Sequence, residues 1–229
     1  MRYARQEALL GKQAQKKLSK KTITIVGLGA LGSTTANLLA RAGINLRLID
    51  YDAIDITNLQ RQTLYEEQDI GASKAETAQR KLQQINKEIH IEAHNKRLTE
   101  RNINEIKADL IIDCTDNLTT RFMINEYCYN KHPWIHTAAI KYTGVLFNIL
   151  PGGPCLKCLY TSNKDLGTCE EFGVLNSITT ITASLAVSEA IKILLNKQPE
   201  KKLIRFNINT NEIEKIQINK RCEKCLKSL

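Results

Sequence analysis

Hydrophobic and polar positions alternate along this chain with two periods, and the switches between them mark out the elements. Residues 4 to 18 place apolar side chains at helical spacing and predict one amphipathic helix. "TITIV" at 22 to 26 is a short apolar run that predicts a buried strand; the Gly-rich turn "GLGALG" follows, then a helix to about Arg41, ended by Gly43. "NLRLID" predicts a second strand ending at Asp50, and Ser73 has the place of an N-cap for a helix reaching residue 86. Strands are expected near 89 to 94 and 109 to 113, a helix over 117 to 131, and strands near 134 to 139 and 143 to 149. After an irregular stretch from 151 to 175, a long apolar helix (176 to 195) leads into a hairpin, 202 to 208 and 212 to 218, turning at Asn209 to Asn211. Strands alternating with helices predict a Rossmann-like α/β fold: a doubly wound, mostly parallel sheet, here with a C-terminal antiparallel hairpin.

The chain's 229 residues, 42% of them hydrophobic, suffice for one substantial core, and a single domain is expected over 1–229. Its parts are an N-terminal helix (4–18), a nucleotide-binding core (22–150), and a crossover loop, long helix and tail (151–229). The net charge of +9 suits an anionic nucleotide, an acidic protein or nucleic acid. Lysines are scattered and no stretch interleaves dense basic charge with aromatics, so no nucleic acid partner is expected. No apolar run is read as reaching the roughly 18 residues a membrane helix requires, and the N-terminus is amphipathic rather than a signal peptide. A cytoplasmic protein with no membrane partner is the expectation.

Four of the seven cysteines fall in two C-x-x-C pairs, Cys155/Cys158 and Cys222/Cys225. Each pair can direct two thiolates at one ion, and together they complete the four-sulfur set of a structural zinc. A disulfide or a redox C-x-x-C is the competing reading; a reducing cytosol opposes the first and the duplication of the motif opposes the second. The ion would staple the tail to a loop near the chain's middle. Cys114 and Cys128 fit small core residues, and His90, His94, His132 and His136 show no metal spacing.

The turn Gly27-Leu28-Gly29-Ala30-Leu31-Gly32 matches G-x-G-x-x-G between a strand and a helix, where backbone N–H groups can approach an anionic ligand. Asp50 stands where a carboxylate accepts from ribose hydroxyls. Alone, these features suggest a dinucleotide oxidoreductase. The stretch "ITNLQRQ" argues otherwise, because Asn58, Arg61 and Gln62, followed by Lys74, supply donors and cations suited to a triphosphate. Taken singly, Arg61 also fits a surface ion pair and Lys74 a solvated helix end. In "IIDCTDNLTTR", Asp113 and Asp116 follow a strand's C-terminal end; Asp116 is the candidate Mg²⁺ ligand, and an N-cap on the next helix is the alternative role for one of the two.

These residues carry a resemblance. "RYARQ" (2–6), "GLGALG" (27–32), "DYDAIDITNLQRQTL" (50–64), "GASKAE" (71–76), "DCTDNLTTR" (113–121) and the two C-x-x-C pairs resemble, in order, the ThiF/MoeB/HesA-type adenylyltransferases of ubiquitin-like sulfur carrier proteins, relatives of ubiquitin-activating enzymes. The resemblance implies ATP over Gly27, Gly29, Ala30 and Gly32, with Asp50 at its ribose and Asp52 and Asn117 in the same nucleotide site. It places Asn58, Arg61, Gln62 and Lys74 around the phosphates and Mg²⁺ on Asp116. The carrier's C-terminal Gly-Gly carboxylate would attack the α-phosphate, releasing pyrophosphate and leaving an acyl adenylate. Arg5 resembles an arginine inserted into a partner's active site, which implies a homodimer. Cys169, in "LGTCEEFGV", resembles a cysteine some relatives use in sulfur transfer or conjugation, although Glu170 and Glu171 would blunt its thiolate. "TAAIKYTG" (137–144) resembles the strand pair flanking the adenylate, with Lys141 at a position that varies. A separate sulfurtransferase is expected. The carrier's pathway, whether molybdopterin, thiamine, tRNA thiolation or protein conjugation, stays open. So do two alternatives: activation of a small molecule, short peptide or tRNA base, and a catalytically silent nucleotide-binding module.

Overall fold

The structure, a computed structural model, describes residues 2–160, 172–219 and 221–226. Its centre is one eight-stranded sheet in the order β3-β2-β1-β4-β5-β6-β7-β8. The strands are β1 (Thr22–Val26), β2 (Asn45–Asp50), β3 (Ile91–Asn95), β4 (Leu110–Asp113), β5 (Trp134–Ile140), β6 (Thr143–Ile149), β7 (Leu203–Asn207) and β8 (Glu212–Ile216). β3 through β5 run parallel, and β6, β7 and β8 are antiparallel additions. Parallel strands are buried on both faces, which is why they read as unbroken apolar runs. In β4, Leu110 and Ile112 enter one core and Ile111 the other.

The helices are α1 (Ala4–Leu10), α2 (Lys12–Leu18), α3 (Ala30–Ala42), α4 (Lys74–Ile85), α5 (Leu118–Cys128), α6 (Leu156–Leu159), α7 (Asn176–Leu194) and α8 (Glu223–Leu226). α3, α4 and α7 contribute to the larger core, where Leu39, Leu82 and Ile178 are buried, and α5 and α6 cover the opposite face around Ile124 and Leu156.

Three expectations need correction. The single N-terminal helix is two, because Gly11 takes φ 91° and ψ 148°, a region glycine enters without steric cost. The helix expected to reach residue 131 stops at Cys128, with Asn130 in the left-handed region at φ 52°. Finally, α7 does have the length and apolarity to cross a membrane, with 19 residues at a mean hydropathy of 1.3. Half of it is buried inside the fold, against α3, β5 and β6, which is the place of a core helix.

Candidate active site

The strand order reverses between β1 and β4, the switch point at which open α/β sheets bind ligands. A cleft of about 290 Å³ opens there, at the C-terminal ends of the parallel strands. Three helices present their N-termini to it: α3 at Gly29 and Ala30, α4 at Lys74, α5 at Asn117. The N-caps of α4 and α5 are satisfied internally, Ser73 accepting from Glu76 N–H and Asn117 from Thr120 N–H. Gly29 provides no side-chain cap, so the first-turn N–H groups of α3 are left to an incoming anion.

The Gly-rich turn is forced by close packing. Gly27 has φ 86°, and a Cβ there would lie 2.8 Å from the Cys114 carbonyl. A Cβ on Gly32 would lie 1.8 Å from the Gly27 carbonyl. Gly27, Gly29 and Ala30 line the cleft, whereas Gly32 packs beneath the turn. Tyr65 braces the assembly from behind, donating its hydroxyl to the carbonyls of Leu28 (3.0 Å) and Lys74 (3.3 Å).

Asp50 ends β2 with its carboxylate held by N–H donors from Leu28 (2.5 Å) and Asp52 (2.8 Å). Burial raises its pKa above the usual carboxylate range, and those two donors and Lys74 oppose the rise. A carboxylate with two N–H contacts retains lone pairs for further donors. Lys74 is almost fully buried, not a solvated helix end, and its ammonium lies 3.1 Å from the half-exposed Asp52. Arg61 lines the same wall and donates to the Thr57 carbonyl at 2.8 Å. Gln62 is 3% exposed, and its side-chain carbonyl has no hydrogen-bond partner among the described residues.

Across the cleft, the two aspartates after β4 differ. Asp116 is exposed on the cleft wall, with one long contact from Asn117 Nδ2 at 3.4 Å. Asp113 is fully buried. It accepts from Thr115 N–H (3.0 Å), the Thr115 hydroxyl (2.6 Å) and His136 Nδ1–H (2.9 Å), with Arg121 Nε at 3.5 Å. Burial pushes its pKa up, but His136, Arg121 and Thr115 outweigh that and hold the carboxyl below its usual range. Burial likewise drives His136 below its ordinary pKa, with Arg121 adding to the fall. Neither N-cap alternative holds for these aspartates, since Asn117 caps α5.

Two expected residues stand elsewhere. Asn58 does not line the cleft: its side-chain oxygen accepts from Asp55 N–H, closing the 3₁₀ turn Ile56–Asn58 and so aiming Arg61 and Gln62. Arg5 is exposed on α1, which packs against the C-terminal ends of α3 and α4 through Gln6 to Ala42 and Arg2 to Ile85. The cleft is at the N-terminal ends of those helices, and α3 alone, with 13 residues, spans about 20 Å. Cys169 lies outside the described residues. Among the residues that motif reasoning passed over, Tyr51, Lys96, Arg97, Arg121 and Tyr160 also line the cleft. Tyr51 and Arg121 sat within quoted motifs; Lys96, Arg97 and Tyr160 carried no spacing that marked them. Cys114 and Cys128 are buried and their thiols pushed up to about 12, which leaves them unreactive.

On the opposite face, four sulfurs converge. Cys155 Sγ lies 3.9 Å from Cys158 and 3.5 Å from Cys222, and Cys158 lies 3.6 Å from Cys225. All four lie within 4.8 Å of one another. Zn–S bonds of about 2.3 Å in a tetrahedron separate sulfurs by roughly 3.8 Å, so the set fits zinc. The Cys222 N–H donates to Cys158 Sγ at 3.3 Å, the outer-shell contact such thiolates use.

The buried His136 makes a prediction. Neutral in the folded state, it withholds a proton that an unfolded imidazole takes up below about pH 6.5. Its contribution to stability is present above that pH and is lost as pH falls through it, whereas Asp113 adds a loss only below about pH 4. The urea midpoint should therefore drop more between pH 7.5 and 5.5 in the wild type than in His136→Gln.

Fold and cleft together define an α/β protein with a cation-lined cleft at the switch point of its sheet and a separate cluster of four cysteine sulfurs. The sequence profile of the ThiF family matches residues 3–227, and the chain belongs to that family. It is 35% identical to the molybdopterin-synthase adenylyltransferase of Escherichia coli K12, covering 98% of this chain and 96% of that protein. It is 34% identical to the sulfur carrier protein ThiS adenylyltransferase of Bacillus subtilis, over 94% and 67% of the two chains. With the adenylyltransferase and sulfurtransferase MOCS3 of Anopheles gambiae identity is 37% over 86% of this chain, which spans about half (47%) of that relative's length. Among solved structures, E. coli MccB with MccA-N7isoASN superposes with a TM-score of 0.86 at 24% identity, covering 98% of this chain and 75% of MccB, a likeness of fold.

Proposed function

We propose that the protein adenylates the C-terminal carboxylate of a ubiquitin-like sulfur carrier protein ending in Gly-Gly, consuming ATP and releasing pyrophosphate. One observation carries the reading. The cleft runs unbroken from the Asp50 and Lys74 wall, past Asp116, onto β5 and β6, where Ala138, Ala139 and Thr143 leave a slot suited to a chain end without side chains. Of the named relatives, one is an adenylyltransferase of the sulfur carrier protein ThiS and another of molybdopterin synthase, which supports the reading.

Asp50 would take the ribose hydroxyls, and the open N-terminus of α3 with Arg61, Gln62 and Lys74 would take the phosphate oxygens. Asp116 would hold Mg²⁺, which offsets the charge that builds on the departing pyrophosphate. Two anions must meet for the reaction to occur, so neutralising and aligning them is the catalytic task, and no covalent enzyme intermediate is required. The adenylate would then be the substrate for sulfur transfer.

ATP–pyrophosphate exchange tests the proposal against the Gly-Gly-ending ubiquitin-like proteins of the same genome. Exchange dependent on one of them supports it and names the partner. ATP binding without exchange for any carrier would overturn it in favour of a peptide, small-molecule or tRNA substrate.

We further propose a homodimer in which Arg5 completes the partner's cleft, since α1 stands at the far end of α3 from its own. Mixing inactive Arg5→Ala and Asp116→Ala chains should then restore about a quarter of wild-type exchange, because half the dimers are mixed and each has one intact site. An arginine acting within its own chain would restore none.

A further inference from the structure

Behind the β5 and β6 end of the cleft lies a hydrogen-bonded chain for which the adenylation reading has no use so far. Asp113, the fully buried end of β4, faces His136 Nδ1 at 2.9 Å, and His136 Nε2 faces the Tyr160 hydroxyl at 3.0 Å. Tyr160 reaches the cleft wall; Asp113 and His136 do not.

The chemistry of the three groups fixes the direction of every proton in the chain. Asp113 is ionised, with a hydroxyl, an N–H and the Arg121 cation around it, so the Nδ1 proton of His136 points to it. A neutral imidazole then has only a lone pair at Nε2. The Tyr160 hydroxyl must donate to that lone pair, and its oxygen turns to the cleft as an acceptor. Tyrosine hydroxyls ordinarily rotate between the two roles; this one is locked into one.

We propose that Tyr160 accepts a hydrogen bond from a backbone N–H of the extended C-terminal tail of the adenylated protein, and that His136 and Asp113 are the positioning residues that hold its hydroxyl in that role. The inference rests on the proposed function, and it identifies what the far end of the cleft recognises: the peptide N–H of the terminal glycine, backbone N–H being the one kind of donor that a Gly-Gly end offers. Ala138, Ala139 and Val145 on the walls there give the tail no side-chain acceptor, so beside the Thr143 hydroxyl the tyrosine oxygen is the acceptor that keeps a buried N–H from being left unpaired.

A cycle between enzyme and substrate tests this. The carrier is prepared with its terminal Gly-Gly amide intact or replaced by an ester, which keeps the shape and removes the N–H. With wild-type enzyme the ester should raise KM by about five- to tenfold with kcat little changed. With Tyr160→Phe the amide carrier should already show that KM, and the ester should add nothing. His136→Met should reproduce the KM of Tyr160→Phe on the amide carrier, and the double variant should be no worse than either. An ester penalty of equal size in wild type and Tyr160→Phe overturns the inference while leaving adenylation in place. Exchange absent in wild type overturns the proposed function instead. Retained zinc and a cooperative melting transition above the assay temperature in each variant separate loss of this contact from loss of fold.

Discussion

Asp116→Ala is expected to lower pyrophosphate exchange by a factor of about 10²–10³, the range found when a preorganised electrostatic group is removed from a reacting centre. The fold should be untouched. Asp116 is exposed on the loop after β4 and makes one long contact, at 3.4 Å, within its own turn. Substitutions at such positions change stability by about 0.5 kcal/mol or less. The variant should melt with the wild type and still bind ATP, through Asp50 and Lys74, yet lose the metal dependence of the reaction. Lys74→Ala makes the informative contrast. Its side chain is nearly buried and paired with Asp52, so its loss should weaken ATP binding as well as turnover and leave the Asp52 carboxylate without its cation. An Asp116→Ala enzyme that remains active and Mg²⁺-dependent would refute the assignment.

Cys155→Ser should release the metal and destabilise the face of the sheet away from α3 and α7. The four sulfurs join the segment after β6 to the tail after β8, with Cys155 and Cys222 separated by 67 positions. Three of them, Cys155, Cys158 and Cys225, pack in the same core as Trp134, Phe147 and Leu203. Lys224 adds an ion pair with Glu126 of α5, so the tail is tied down by charge as well. A crosslink over so long a loop contributes about 3 kcal/mol or more. At this chain length that corresponds to a melting temperature lower by roughly 6–12 °C. Purified wild type should contain one zinc per chain, and chelation should reproduce the shift. A metal-free preparation that melts like the zinc-loaded form would sink the assignment. Adenylation should survive the substitution at low temperature, because none of the four sulfurs lines the cleft.

Much of this was legible in the order of residues, and what escaped shows where local information ends. Period and punctuation located β1, β2, α3 and α4, because a buried parallel strand and an amphipathic helix each need a distinct local pattern, and Ser73 signals its helix start by its own chemistry. The cleft's cations and carboxylates, Asp50, Arg61, Lys74 and Asp116, could be named because G-x-G-x-x-G fixes which strand ends face a ligand. The paired C-x-x-C motifs announced a four-sulfur site without any knowledge of the path between them. Other features depended on distance. Whether Asp113 or Asp116 meets the cleft is decided by where β4 ends, which buries one carboxylate and exposes the other three residues later. Asn58 has the composition of a phosphate ligand, yet its side chain closes its own turn. The apolar length of α7 is equally suited to a membrane, and only its burial against α3 and the sheet makes it a core helix. The Asp113, His136 and Tyr160 chain joins β4, β5 and the end of α6 across 23 and 24 positions, with no motif to mark it. The sequence by itself determined the elements, their order and the chemistry available at the strand ends, since these follow from short-range periodicity and spacing. The tertiary structure alone decided burial, proton direction and which wall of the cleft each group faces, because hydrogen bonding and desolvation act between residues that only the folded sheet brings together.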